Sequence, residues 1–230
     1  FTNPPCNAVS YSLNVTISVT PGSVAGTISS SGQTICINGI PVNIGLVSGT
    51  TVGSVTNWLW SADSLNWTAA SGTPITSTTL IGTQMNSLQL GGAITSTRYY
   101  RARVVNNTCP ADSSLPHKVT VVQPSVGVAT SNQAICANST PVAIGVPQQT
   151  ISGNQLAWEY ATNAPTFNNW TAVGAGGSSP SLSIGPLTAT RHYRLKVNSS
   201  LCLASQAVYS NSVIITVNPN PVVTVAPNQT

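Results

Sequence analysis

The sequence predicts an all-β chain of tandem immunoglobulin-like β-sandwich modules. Three observations carry that expectation: an internal repeat, short alternating apolar runs bounded by Gly and Pro, and cysteines that recur at matching places. The run from Cys109 to Pro124 resembles the run from Cys202 to Pro219, and both resemble the run from Cys6 to Pro21. Further matches follow in one order. Gly32–Cys36 (GQTIC) answers Asn132–Cys136 (NQAIC), and Trp58-Leu59-Trp60 answers Trp158-Glu159-Tyr160. Asn66-Trp67-Thr68 answers Asn169-Trp170-Thr171, and TRYYRARV from Thr97 answers TRHYRLKV from Thr190. Pro21, Pro124 and Pro219 mark a period of about 100 residues, the size of one sandwich. The expected modules are 21–123 and 124–218, with 1–20 as the end of a preceding module and 219–230 as the start of a following one.

Taken in order, module one should place strands near 22–28, 34–37, 41–46, 55–61, 79–82, 86–90, 97–106 and 117–122. Module two should place them near 125–130, 134–137, 141–146, 155–161, 181–184, 190–198 and 209–217. No apolar stripe of period 3.6 competes with this reading. Alternation assigns faces. Tyr100, Ala102 and Val104 point one way and Tyr99, Arg101 and Arg103 the other; the second copy sets Tyr193, Leu195 and Val197 against His192, Arg194 and Lys196. The Tyr100 and Tyr193 sets are expected inward, with the cationic sets outward and Arg98 and Arg191 snorkelling at the rim. Trp58 with Trp60, and Trp158 with Tyr160, form the expected aromatic centre of each core. Trp67 and Trp170 follow turns and read either as covers of an open end or as surface contacts.

The chain has five cysteines. The repeat predicts two links within modules, Cys36–Cys109 and Cys136–Cys202, with Cys6 unpaired in this chain because its counterpart belongs to the preceding module. Structural disulfides imply a periplasmic, secreted or cell-surface location, and the expected place is extracellular, at the cell surface. A zinc site is the rival reading, but the chain lacks CxxC and has only two histidines.

Composition narrows function. Charged residues are 4% of the chain, against roughly a quarter in an average soluble domain. Seven Lys and Arg against three Asp and Glu give a net charge of +4, too sparse for a surface that tracks phosphates, so no nucleic-acid partner is expected. No apolar run reaches the roughly 18 to 20 residues of a membrane span. The acids Asp63, Asp112 and Glu159 have no acidic counterparts in the other repeat. His117 and His192 read as solvated surface histidines, and no GxSxG is present, so no catalytic residue is assigned and no enzyme is expected. No cofactor is expected, and the carboxylate-poor junctions argue against structural calcium. Proline at those junctions favours an extended, monomeric row of modules.

The candidate ligand face, if the chain binds anything, comprises Tyr99, Arg101, Arg103, His192, Arg194 and Lys196, with Trp67 and Trp170 beside them. The plainer reading is that these cations keep the sheet soluble and that those of module two pair with Glu159. Contact with an acidic surface polysaccharide is the functional one.

The ordered set of a Cys in an xxIC segment, Trp-x-Trp or Trp-x-Tyr, Asn-Trp-Thr, and T-R-x-Y-R-x-x-V followed by Cys resembles the immunoglobulin-like repeats of very large surface and secreted proteins of Bacteroidota. Gliding-motility adhesins of the SprB type are among them. Both modules carry the set, from Cys36 to Cys109 and from Cys136 to Cys202. The resemblance implies stalk or adhesive repeats whose partners are the neighbouring modules of the same chain, with attachment to the cell surface through regions outside these residues. Asp63-Ser64-Leu65 also resembles the short O-glycosylation motif of that phylum. The alternative function is that of carbohydrate-binding accessory modules in a secreted polysaccharide-degrading enzyme.

Overall fold

Val, Ile, Thr and aromatic residues in short runs give the chain strands rather than helices, because branched and aromatic side chains pack well on a pleated surface. The computed structural model describes residues 13–30, 32–70, 74–75, 87–88, 90, 92–162 and 169–222. Module one contains β1 (Gly32–Cys36), β2 (Ile44–Gly45), β3 (Ser54–Ser61), β4 (Thr68–Ala69), β5 (Pro74–Ile75), β6 (Ser87–Leu88), β7 (Arg98–Val105), β8 (Asp112–Ser113) and β9 (His117–Val122). Module two contains β10 (Gln133–Cys136), β11 (Ile144–Gly145), β12 (Gln155–Ala161), β13 (Thr171–Ala172), β14 (Ser181–Leu182), β15 (Arg191–Asn198), β16 (Val208–Tyr209) and β17 (Val213–Asn218). Cys6, the strand expected at 79–82 and part of that expected at 86–90 lie outside the described residues.

The chain is all-β, and both modules are immunoglobulin-like sandwiches with one large sheet and one small one. The large sheets run β1-β9-β7-β3-β4, with β8 on β7, and β10-β17-β15-β12-β13, with β16 on β15. Opposite them lie β2-β6-β5 and β11-β14. In both modules the first strand runs parallel to the last: Cys36 stands opposite Val122, and Cys136 opposite Asn218. Each of these strands therefore ends where the chain leaves its module.

Two separate cores fill the sandwiches. Trp58 is buried with Ile44, Tyr100, Ala102, Val104 and Val119; Trp158 is buried with Ile144, Tyr193, Leu195, Val197 and Ile215. Burying one such indole contributes about 4 to 6 kcal/mol of transfer free energy before the entropy of ordering is counted. The inward assignment of the Tyr100 and Tyr193 sets agrees with this packing, and Trp60 and Tyr160 sit half-buried at the edge of their cores.

Repeated polar residues hold the frame. Gln33 donates Nε2–H to Val42 O and accepts from Val42 N with Oε1, at 2.7 and 2.8 Å; Gln133 does the same with Val142 at 2.9 Å each. The amide thus stands in for a strand residue where no ladder exists. Thr97 and Thr190 accept the N–H of Val121 and Val217 through their hydroxyls, at 3.1 and 3.0 Å, which explains the Thr that opens T-R-x-Y-R. Gly53 and Gly153 bring β3 and β12 against the ends of β7 and β15, where a Cβ would lie 2.6 Å from Val105 O or 2.5 Å from Asn198 O.

Two expectations are corrected. The strands at 22–28 and 125–130 reduce to isolated bridges, Val24 to Val52, Ile28 to Leu46 and Ser125 to Ser152, and in module one Gly26 turns the backbone left-handed at φ 70°. The histidines are buried, not solvated. His117 pairs with Tyr100 as Val213 pairs with Tyr193, so it fills a core position, and its Nδ1 lies 2.8 Å from Ser30 O. His192 is 7% exposed and its Nδ1 lies 3.5 Å from Ser212 Oγ.

Burial holds the His192 pKa below its ordinary value. Below pH 6.5 the unfolded chain then takes a proton that the folded ring refuses, so stability falls with pH until the lowered folded-state pKa is reached. The midpoint of urea unfolding for module two should drop between pH 7.5 and 5. His192→Tyr, which installs the Tyr99 counterpart, should flatten that dependence.

Candidate functional site

Two features stand out: the cationic outer face of each large sheet, and the joint between the modules.

On the outer face the cations lie on aromatic rings. The Arg101 guanidinium sits 4.0 Å from the Trp67 ring centre, and that of Arg194 sits 4.0 Å from the centres of both Trp170 and Tyr209. This explains Asn-Trp-Thr. The indole just before β4 or β13 lies on the sheet's outer face, and the second arginine of T-R-x-Y-R covers it. Trp67 and Trp170 therefore pack against the sheet's outer face instead of closing a sandwich end. At the rim Arg98 lies 4.7 Å from the Trp60 ring centre and Arg191 lies 4.8 Å from that of Tyr160. The first arginine and the second aromatic of Trp-x-Trp form another repeated pair, each worth about 0.5 to 1 kcal/mol where exposed.

Charge pairing differs between the modules. Glu159 Oε2 accepts from Arg194 Nε at 2.9 Å and Nη2 at 2.8 Å, with Lys196 Nζ 3.9 Å from Oε1. Module one has Leu59 at that register, opposite Arg101. Arg103 is exposed, and Lys118 Nζ lies 5.9 Å from the Tyr99 ring centre. His192, expected on this face, is too buried to touch a ligand.

The other acids have structural partners. Asp63 accepts from Ser61 Oγ, from the N–H of Leu65 and Asn66, and from Asn66 Nδ2. The backbone N–H groups of Asn66 and Leu65, and then those side chains, hold its carboxyl well below the usual carboxylate range. Asp112 accepts Ala25 N at 2.9 Å; in module two a neutral amide, Asn211, makes a comparable tie to Ala129 N at 2.6 Å. Burial raises the phenols of Tyr100 and Tyr193, partly offset by Arg98 and Arg191.

The joint corrects the expected cysteine pairing. Cys36 is bonded to Cys202, with Cα atoms 5.0 Å apart, and Cys109 and Cys136 are free. Neither Cys36–Cys109 nor Cys136–Cys202 forms. The reason lies in strand direction. Cys36 stands opposite Val122, beyond the Arg98 end of β7, whereas Cys109 follows the Val105 end. That strand spans about 23 Å at ~3.3 Å per residue, and a disulfide needs Cα atoms within about 7 Å. The same argument separates Cys136 from Cys202 along β15. Across the joint Gln206 Nε2 donates to Ile37 O at 2.8 Å. Pairing within modules and pairing between modules leave the same trace in a repeat, so the sequence alone does not separate them.

Non-reducing peptide mapping should recover a Cys36–Cys202 peptide and find Cys109 and Cys136 open to alkylation. The link spans 166 residues and removes about 5 kcal/mol of unfolded-state freedom in the chain-entropy model, so reduction should lower the thermal midpoint. On the outer face, Arg194→Ala should cost about 1 to 3 kcal/mol, because it leaves half-buried Glu159 poorly paired. Arg103→Ala should change stability by less than about 0.5 kcal/mol.

No curated protein matches the chain. Several solved structures are similar to it. The fibronectin(III)-like modules of Clostridium thermocellum CbhA are 14% identical, with 88% of this chain and 98% of that chain covered and a TM-score of 0.34. The FN1–FN3 domains of chicken CNTN1 are 13% identical, covering 87% and 67%, with a TM-score of 0.40. A marsupial T cell receptor is 14% identical, covering 87% and 75%, with a TM-score of 0.44. The family described as a domain of unknown function, DUF8696, matches twice, over residues 24–123 and 125–219, and the chain belongs to that family.

Proposed function

We propose that the chain is a structural and adhesive repeat segment of a large exported protein, a stalk that extends and presents other regions and carries out no chemistry of its own. The observation that supports this most is the use made of the repeated residues. Cys36 and Cys202 close the joint, Trp58 and Trp158 fill the cores, and Thr97 and Thr190 tie strand edges. Arg98 with Arg191, and Arg101 with Arg194, cover aromatic rings. What the two modules share is architecture, which is what selection for a spacer preserves.

The disulfide supports an extracellular setting, where such bonds persist. Among the described residues no helix is long and apolar enough to cross a membrane. The sequence resembles surface repeats of the gliding-adhesin kind, which supports a reading in which neighbouring modules of the same chain are its partners. Stacking of Arg101 and Arg194 on Trp67 and Trp170 weighs against the carbohydrate-binding alternative, since a sugar would have to displace a guanidinium from the ring it needs.

Small-angle scattering should give a monomer with a radius of gyration well above the ~17 Å expected of a compact 230-residue globule. A value near that figure would contradict the stalk. Columns of acidic polysaccharide should not retain the chain at physiological salt. Salt-sensitive retention that Arg103→Ser with Lys196→Ser abolishes would instead favour a carbohydrate-binding module.

A further inference from the structure

Every module carries a cysteine at each end, and the closed joint shows what the two kinds do. The tail cysteine ends the first strand where the chain leaves the module. Cys36 stands opposite Val122, with Ile37 N donating to Val122 O at 2.8 Å; Cys136 stands opposite Asn218, with Ala137 N donating to Asn218 O at 2.8 Å. Both enter the same turn, in which Gly39 N or Ser139 N reaches back to the cysteine carbonyl and Asn38 or Asn138 is left-handed at φ 62° or 64°. The head cysteine sits in the turn after the long central strand, at the end where the chain arrives. Cys109 N donates to Asn106 O at 3.0 Å and Cys202 N to Ser199 O at 2.9 Å. Cys109 Sγ lies 3.5 Å from Pro21 O, at the start of its own module.

In the joint a tail cysteine, Cys36, is bonded to the head cysteine of the next module, Cys202. Among the described residues one unbonded member of each kind remains, the exposed tail Cys136 and the half-buried head Cys109. We infer that Cys109 and Cys136 are the two halves of that same joint, each made to bond the complementary cysteine of another module of this kind placed in line with the chain. The partner is a copy of the module, because among the described residues the surface bonded to a tail cysteine is a module head. The inference holds whether the array spaces or adheres.

The chemistry balances with a small-molecule disulfide such as oxidised glutathione as the oxidant. The Cys136 thiolate attacks it and releases one glutathione thiolate. The Cys109 thiolate of the adjoining module then attacks the mixed disulfide and releases the second. Two protein thiols are oxidised to one disulfide, and one glutathione disulfide is reduced to two thiols.

The test joins residues 1–218 in frame to residues 21–230, so that Asn218 runs into Pro21 as Gln123 runs into Pro124, with Cys6→Ser removing the remaining thiol. After refolding in a glutathione redox buffer, peptides are mapped without reduction. The expected result is a bond between Cys136 of the first copy and Cys109 of the second, alongside Cys36–Cys202 in both. Cys109 of the first copy and Cys136 of the second should stay open to alkylation. Changing Cys136 of the first copy to Ser should free that Cys109 and leave both Cys36–Cys202 bonds in place. If both Cys36–Cys202 bonds form while the new pair stays alkylatable, or if Cys136 bonds any cysteine other than the adjoining Cys109, the inference is overturned.

Discussion

The parallel pairing of each module's first strand with its last is the constraint from which the rest follows. A strand that runs with β9 must finish where β9 finishes, so Cys36 is delivered to the exit of module one. The central strand β15 runs the other way, and its following turn brings Cys202 to the arrival end of module two. Two ordinary features of a sandwich thus place two thiols at one joint, and the bond needs no specialised loop to reach across. Gln33 and Gln133 reinforce the same strands by clamping the chain just after them, at Val42 and Val142.

Arginine does much of the work that hydrophobic residues do elsewhere. In a chain with 4% charged residues, four arginines cover Trp60, Trp67, Tyr160 and Trp170. A guanidinium is weakly hydrated and planar, so it shields a ring from water while its charge stays at the surface. Large aromatic groups can then sit on both sides of a thin sheet without leaving an open apolar patch that invites association. Module two adds Glu159 beneath Arg194, whereas module one keeps Leu59, so the stacking is the shared device and the ion pair is local to one copy.

The fold was legible because alternation is a strong physical signal: Tyr100, Ala102 and Val104 lie in one core, and Tyr193, Leu195 and Val197 in the other. The pairing of Arg194 and Lys196 with Glu159 was legible too, since register follows from the repeat. Four things were not. Alternation says which face a residue occupies, but it does not say what covers that face, so His192 read as exposed. It also treats a core histidine such as His117 as polar and therefore solvated. A repeat shows which cysteines are equivalent without saying which copies pair, and that needs the direction of β1 relative to β9. The broken strand at 22–28 has the composition of a strand, but isolated bridges at Val24 and Ile28 and side-chain acceptors such as Asp112 at Ala25 hold it in place of a continuous ladder.

The disulfide also decides how the two modules meet tension applied along the chain. A pull between the described ends travels to Cys36, crosses to Cys202 and continues toward β17, so everything between those cysteines lies off the loaded path. That bypassed stretch contains β3, β7, β12 and β15 with both buried tryptophans. Its 166-residue separation corresponds to about 550 to 600 Å of extended chain that cannot be released while the bond stands. Only the segments before Cys36 and after Cys202 feel the load, β1 against β9 in one module and β16 with β17 against β15 in the other. The non-covalent core interactions therefore do not have to resist force in series with the bond. A pair of modest sandwiches rich in small polar residues resists stretching through one covalent link placed at the joint, not through the strength of either core.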